Sequence, residues 1–360
     1  MRPTIFIAGG GTGGHVFPAV AVADALRELA DVEVVFFGTD RGLEARVVPT
    51  HGFRLEKIHV EPMRGGGAPR VARGAAIALG ATARSFTRVR RQRPRAVLSV
   101  GGYACGPVSL AAALFGVPLA VLEPNTAVGL ANRVLGPVAK RAYIAWDEVA
   151  GSFCRASLRP YGVPLRRGFG ARPYVVGHSV RVLVMGGSRG AAVLNARMPA
   201  AIASLAPRFP RIQVLHQAGR DADSEVRAGY ARARVEGAAV VPFVDDVARA
   251  IAEADLVVAR AGAGTIAEIT SIGRASILIP FPHAADDHQA KNARALARLG
   301  AGICLNQSDA EPCRLAAEIE RLLADAGARV AMADAARARG RPNAAHDVAR
   351  DLLDLAGGGH

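Results

Sequence analysis

Residues 4–15 read Thr4-Ile5-Phe6-Ile7-Ala8-Gly9-Gly10-Gly11-Thr12-Gly13-Gly14-His15. The short apolar run Thr4–Ala8, rich in β-branched and aromatic side chains, predicts a buried strand. It breaks into glycines, and the pattern Pro18–Ala30 that follows predicts a helix. Strand, glycine turn and helix in that order form the opening unit of a doubly wound α/β domain.

The same alternation runs outward from this stretch. Val32–Phe37, Ala96–Val100, Leu119–Leu122 and Arg141–Ala145 predict further strands. It restarts at Arg181–Met185 and continues through Ile212–His216, Ala238–Pro242, Leu256–Ala259 and Ser276–Ile279. Continuous apolar strands joined by helices predict parallel sheets covered on both faces. Between the two series, Ser152–His178 carries Pro160, Gly162, Pro164, Gly168, Gly170, Pro173 and Gly177, which predicts an inter-domain connection. The expected domains are residues 1–165 and 166–341. A last helical pattern, Ala344–Leu355 within residues 342–358, is expected to pack back on the first.

Composition agrees. At about 150 residues per domain, 360 residues make roughly two domains. Hydrophobic residues at 51% against 21% charged exclude a disordered chain. Cys105, Cys154, Cys304 and Cys313 form no CxxC pair, which predicts free thiols rather than a disulfide framework or zinc site. No run of about 20 apolar residues predicts a membrane span. Forty-five basic against 31 acidic residues give +14, so the chain is attracted to something anionic: nucleic acid, an acidic lipid surface or a phosphorylated substrate.

Three strand–glycine–helix junctions can face an anion with bare N–H groups and a helix N-terminus: Gly9–His15, Gly101–Pro107 and Gly186–Ala191. The first matches GxGxxG. A dinucleotide site also wants an acid near the end of the second strand. Asp40 arrives late for that, so a nicotinamide enzyme is a distant reading. A ligand-free turn is the plain reading of any one loop; three loops across two domains weigh against it. A fourth junction, Arg260–Glu268, opens a helix with small residues and places Glu268 where a carboxylate can accept hydrogen bonds from a ribose. The plain alternative is an acid favouring a helix N-terminus. Asp245-Asp246 is the nearest thing to an Asp-x-Asp metal motif, and it predicts the start of a helix over Val247–Ala254.

Taken in order, Gly10–Pro18, Gly101-Gly102-Tyr103, Glu123-Pro124-Asn125, Gly187–Ala191, Gly262–Glu268, Pro282-His283 and His288-Gln289 resemble the MurG family. These are the UDP-N-acetylglucosamine:lipid I N-acetylglucosaminyltransferases of peptidoglycan synthesis. The resemblance spans residues 4 to about 350. It implies a GT-B fold, two Rossmann-like doubly wound parallel-sheet domains facing a cleft. The C-terminal one would hold UDP-N-acetylglucosamine and the N-terminal one the lipid-linked acceptor. The implied reaction inverts the anomeric centre and joins the sugar to the C4 hydroxyl of the muramoyl sugar of lipid I. No cofactor and no metal are implied.

Residue roles come with the resemblance. Thr12, Gly13 and Gly14 would approach the donor and Asn125 would reach its sugar. Arg166, with Arg167 as a rival, and Ser188 would meet the diphosphate. Val244 would lie against uracil through its backbone. Ala263, Gly264 and Thr265 would offer helix-terminal N–H groups. Glu268 would bind the ribose and Gln289 the transferred sugar. Gly102 and Tyr103 would stand on the acceptor side. His15 would be the general base or position the acceptor, with Glu123 as the other base or an orienting partner. The family's usual His-Glu-Gln-Asn is here Leu122-Glu123-Pro124-Asn125, and Arg189 stands where the family has Gln, adding positive charge near the diphosphate.

Residues 70–95 hold eight arginines and no acid, interleaved with Leu79, Phe86 and Val89. Arg84, Phe86 and Arg88 would face an anionic bilayer as part of a basic amphipathic helix. The expected place is the cytoplasmic face of the inner membrane, with cell-wall synthesis or division proteins as candidate partners. A solvated helical face is the plain alternative. Nucleic acid is disfavoured, because there is little aromatic interleaving and no recognised binding motif. Two other functions fit the same residues: a GT-B transferase for another lipid or natural-product acceptor, and a non-catalytic nucleotide-sugar-binding subunit.

Overall fold

The computed structural model describes residues 2–60, 67–177, 180–187 and 190–357, the side chains of 67–79 excepted. The chain forms two compact units, residues 1–167 with 343–360, and 168–342. The division falls two residues and one residue beyond the boundaries read in the sequence.

The first unit holds strands β1 (Thr4–Ala8), β2 (Glu33–Gly38), β3 (Arg54–Lys57), β4 (Ala96–Ser99), β5 (Leu119–Glu123), β6 (Arg141–Ile144) and β7 (Ser157–Arg159). They lie in the order β3-β2-β1-β4-β5-β6-β7. Its helices are α1 (Gly13–Leu29), α2 (Glu44–Thr50), α3 (Gly67–Gln92), α4 (Cys105–Leu114), α5 (Leu130–Leu135) and, from the end of the chain, α13 (Ala344–Gly357). The second unit holds β8 (Arg181–Met185), β9 (Gln213–Gln217), β10 (Ala238–Val241), β11 (Leu256–Ala259), β12 (Ala275–Leu278) and β13 (Ile303–Cys304), ordered β10-β9-β8-β11-β12-β13. Its helices are α6 (Ala192–Leu205), α7 (Asp223–Arg232), α8 (Val247–Glu253), α9 (Ala263–Ile272), α10 (His288–Arg298), α11 (Pro312–Ala324) and α12 (Ala326–Arg339). The strand pairs are parallel throughout.

Side chains of a strand alternate between faces, and β1 shows why its run is apolar throughout. Ile5 and Ile7 pack with Val16, Val20 and Leu26 of α1, while Phe6 and Ala8 pack with Val108, Ala111 and Ala112 of α4. In the second unit Val182 and Val184 of β8 pack with Leu194, Met198 and Ile202 of α6 and with Leu315 and Ile319 of α11. Both sheets reverse their winding beside the first strand, between β1 and β4 and between β8 and β11. Ligands of such sheets bind beyond the strand carboxyl ends at that switch point. The four glycine or small-residue junctions sit there, two per unit.

The helix α13 completes the first unit. Val348 and Leu352 are fully buried in the core that contains α1. Each such side chain contributes about 1.5–3 kcal/mol. Asp351 then clamps the helix to the sheet edge. Its Oδ2 accepts from Arg141 Nε at 3.2 Å and from Tyr143 OH at 3.0 Å, and its Oδ1 accepts from Arg159 Nε at 2.8 Å. Replacing Asp351 by alanine is expected to destabilise the first unit by about 2–3 kcal/mol, a fall of roughly 5–10 °C in its melting temperature. Calorimetry measures this, and an unchanged melt removes the clamp.

Part of Ser152–His178 is not connection. Ser157–Arg159 is β7, paired with β6 as the last strand of the first sheet. It is short, half-exposed and stopped by Pro160, so its surroundings of Gly and Pro hid it. Further on, the segment is fastened to the second unit. The buried Arg274 donates to the carbonyls of Arg172 and Pro173 at 3.0 and 3.2 Å, and Tyr174 OH donates to Asp255 Oδ1 at 2.8 Å.

Candidate functional site

In the first unit two glycine turns interlock. A Cβ on Gly102, whose φ is +80°, would stand 2.6 Å from the Gly10 carbonyl oxygen. One on Gly101, at φ +91°, would stand 3.0 Å from His15 Nε2. Only glycine allows this approach and this backbone. The turn after β4 is therefore the floor against which the His15 ring lies. Thr12 caps α1 in extended conformation without a side-chain bond to the helix. Its Oγ1 turns to His15 Nδ1 at 3.4 Å. Thr12 and Gly14 are exposed, and Gly13 and His15 are half-exposed. Tyr103, 39% exposed, stands by Gly11. Thr12, Gly13, Gly14, His15, Gly102 and Tyr103 thus form one surface.

Beneath that surface lies a residue the sequence reading missed. Glu44 opens α2 and is 1% exposed. Its Oε2 accepts from the Gly11 N–H at 2.7 Å, and its Oε1 accepts from the N–H and hydroxyl of Thr39, both at 2.9 Å. The first glycine turn is thus already bonded to an anion, the chain's own. That removes the dinucleotide reading: a pyrophosphate needs the Gly11 N–H that Glu44 holds. Asp40, the acid that follows the second strand, is exposed.

Glu123, at the end of β5, is 2% exposed. Its Oε1 accepts from the Asn125 N–H at 3.2 Å and from Asn125 Nδ2 at 3.3 Å. Its Oε2 accepts from the Gly129 N–H at 2.9 Å and from Asn132 Nδ2 at 3.1 Å. Burial raises its carboxyl above the usual range, against the pull of these N–H groups. These four bonds hold the 124–129 turn and the Asn125 amide, a geometry that suits the orienting one of the two roles considered for Glu123. Leu122 lies in the core and Pro124 is buried, so the departures from His and Gln leave apolar side chains in apolar surroundings. Of the two arginines read for the diphosphate, Arg167 is ion-paired with Glu28 on α1; both are exposed. Both belong to the first unit.

In the second unit Gly190 closes the turn after β8; a Cβ there would collide with the Ala218 carbonyl oxygen. Ser188 and Arg189 lie outside the described residues. At the other side of the switch point Gly262 caps α9 in extended conformation. The first helical bond runs from the Ile266 N–H to the Gly262 carbonyl at 3.0 Å. The N–H groups of Ala263, Gly264 and Thr265 therefore stand outside the helical ladder, at the positive end of the dipole. Glu268 is half-buried and sits in the second turn, not the first. It shares the helix face of Gly264 and Thr265, four and three residues before it. An acid there does nothing for the helix terminus itself. Nothing would meet a Cβ on Gly264 within 4 Å, so that face is open.

Val244 is 8% exposed, so only its backbone is on offer. Asp246 caps α8 by accepting from the Arg249 N–H at 2.9 Å, as its helix-start reading predicts. Beyond β12, Gln289 Oε1 accepts from the Phe281 N–H at 3.0 Å, which leaves the amide NH2 as the donor of that side chain. Arg260 was quoted in the sequence but given no role. Its guanidinium bonds the carbonyls of Ile279 and Pro280 at 3.2 and 3.1 Å and Gln307 Oε1 at 2.8 Å. It ties the end of β11 to the end of β12 and to Gln307. Among the described residues no group of three or more His, Cys, Asp or Glu side chains could hold a metal ion.

On α3 the predicted membrane face divides. Phe86 packs against Phe115 with its ring tilted by 49°, ring centroids 4.4 Å apart, next to the exposed Leu114. Arg84 is exposed. Arg88 instead pairs with Glu56 at 3.2 Å, and Val89 is in the core. Leu79 and the arginines before it lie outside the described side chains.

The family models that match are the glycosyltransferase family 28 N-terminal domain, over residues 5–144, and the glycosyltransferase family 28 C-terminal domain, over residues 181–348. A UDP-N-acetylglucosamine–N-acetylmuramyl-(pentapeptide) pyrophosphoryl-undecaprenol N-acetylglucosamine transferase from Sorangium cellulosum is 51% identical, covering 98% of this chain and 88% of its own. One of the same description from Syntrophotalea carbinolica is 42% identical, covering 98% and 99%. Among solved structures, the crystal structure of Acinetobacter baumannii MurG is similar with a TM-score of 0.79 and 31% identity, covering 98% of this chain and all of that one.

Proposed function

The chain belongs to glycosyltransferase family 28, and on that premise we propose that it moves N-acetylglucosamine from its UDP donor to lipid I. The product is lipid II, with UDP released, in peptidoglycan synthesis. It is a hexosyltransferase; the acceptor oxygen is the C4 hydroxyl of the muramoyl sugar, and a single displacement inverts the anomeric centre.

The observation that carries the reading is α9. Three unladdered N–H groups open the helix and a carboxylate follows within two turns, at the switch point of the second sheet. That set suits a diphosphate beside a vicinal diol, which is what a UDP-sugar presents. Negative charge grows on the departing β-phosphate during transfer. Helix N–H groups and an arginine can stabilise it without reorganising. Ala263, Gly264 and Thr265 supply the first in this reading, and Arg166 and Ser188 add to it. Val244 reads uracil by its backbone, Glu268 the ribose, and Gln289 and Asn125 the sugar. Thr12, Gly13 and Gly14 approach the donor from the first unit, where Gly102 and Tyr103 flank the acceptor. His15 is the base, its Nδ1 by the Thr12 hydroxyl and its ring against the turn after β4.

The deciding assay is UDP release from UDP-N-acetylglucosamine with and without a lipid I analogue, with UDP-glucose as control donor. Release that needs both the acceptor and the N-acetyl sugar is expected. Donor binding without release overturns the acceptor.

The lipid acceptor brings a membrane with it. Among the described residues no helix is long and apolar enough to cross one. Phe86, Leu114 and Phe115, beside Arg84, Arg90 and Arg91, support docking on the anionic cytoplasmic face of the cell membrane. Cell-wall synthesis or division proteins are partners of the same proposal. Each arginine near such a surface contributes about 1 kcal/mol. Arg84→Glu, Arg90→Glu and Arg91→Glu together are therefore expected to lower binding to anionic vesicles by about 100-fold at low salt. Equal vesicle binding makes them a solvated face.

A further inference from the structure

A glycine turn between a strand and a helix is built to receive an anion from outside. In the first unit that receptor is filled from within. We propose that Glu44 is the positioning residue of the first glycine turn, its buried carboxylate standing in for a bound anion and setting the Thr12–His15 end. The catalytic part of this inference rests on the proposed transfer and on His15 as its base.

Several independent contacts converge on the carboxylate. It holds the Gly11 N–H, the Thr39 N–H and the Thr39 hydroxyl. The Thr39 oxygen accepts in turn from the Gly42 N–H at 3.0 Å, which closes the turn before α2. Any Cβ on Gly10 or Gly42 would collide with the carboxyl group, and one on Gly38 would stand 2.5 Å from its Cγ. Three glycines from two separate turns are thus cleared around one side chain. Gly11 is the residue before Thr12, and Thr12 carries the contact to His15 Nδ1. The chain of contact is therefore Glu44, Gly11, Thr12, His15. Glu44 touches no substrate in this arrangement; it acts through the backbone it holds.

Both oxygens of Glu44 accept from N–H or O–H donors, so an amide is the wrong isostere. In Glu44→Gln the NH2 would face a donor N–H. The test measures kcat for transfer, UDP-N-acetylglucosamine affinity by calorimetry and melting temperature on the full chain. Glu44→Ala and Glu44→Gln are expected to lower kcat by about 100-fold, the scale of an ångström-sized misplacement, with donor affinity unchanged. Gly42→Ala, which keeps Glu44 but pushes its carboxylate away, is expected to lower kcat and melting temperature as well. In the Glu44→Ala background the same Cβ meets no carboxylate, and it is expected to change neither.

Wild-type kcat in Glu44→Gln overturns the proposal, because a space-filling role is all that then remains. So does a Gly42→Ala effect that adds in full to that of Glu44→Ala. A chain that transfers nothing at all overturns the transfer reading instead. The melting-temperature coupling between Gly42 and Glu44 then still decides whether the carboxylate locks the turn.

Discussion

His15→Ala lowers kcat by about 100- to 10,000-fold, the range that positioned proton transfer contributes, and leaves UDP-N-acetylglucosamine affinity at the wild-type level. An imidazole changes protonation near neutral pH, so it can take a proton from an attacking hydroxyl without being a permanent charge. The geometry adds orientation. The Thr12 hydroxyl faces one ring nitrogen and Gly101 lies against the other edge, so the ring has a fixed plane. His15→Gln keeps a hydrogen-bonding side chain but no proton acceptor of that basicity, and it is expected to be as slow as the alanine variant. A KM-against-kcat split is the sharper readout, since the loss should fall on kcat in both variants. Wild-type turnover in His15→Ala gives the proton to another group.

The second large effect falls on donor binding. Glu268→Ala is expected to weaken UDP-N-acetylglucosamine and UDP alike by about 100-fold, because it removes hydrogen bonds from a charged acceptor worth about 1.5–3 kcal/mol each. Equal loss for both ligands is the diagnostic part. A carboxylate on the ribose does not distinguish a sugar nucleotide from the bare nucleotide, whereas Gln289, assigned to the sugar, should affect only the former. Calorimetric titration of both ligands separates the two. Unchanged affinity in Glu268→Ala removes that residue from the site.

Some of this was legible in the chain and some was not, for identifiable reasons. Thr4–Ala8, Arg181–Met185 and Leu256–Ala259 are strands with the limits their apolar runs predict. Strands buried on both faces carry their own signature. Arg54–Lys57, Ser157–Arg159 and Ile303–Cys304 were missed, because edge strands of two to four residues need only one covered face and read as polar or as turn. The glycine junctions that carry the candidate site could be found from strand-turn-helix spacing. Glu44 could not: its partner Gly11 lies 33 positions away, and nothing local marks a helix-opening acid as buried. Glu123 was read as base or orienting partner, since the two look alike in sequence until the donors around the carboxylate are seen.

The return of α13 to the first unit has a consequence for synthesis. The first unit begins to leave the ribosome before any of the second, yet it lacks its last helix until residues 168–342 have been made. At about 5–20 residues per second those 175 positions take roughly 10–35 s. For that interval the surface meant for Val348 and Leu352 stays bare on a nearly finished unit. The N-terminal unit of this protein is first to emerge and last to close, which makes that interval the window in which a nascent-chain chaperone has something to hold.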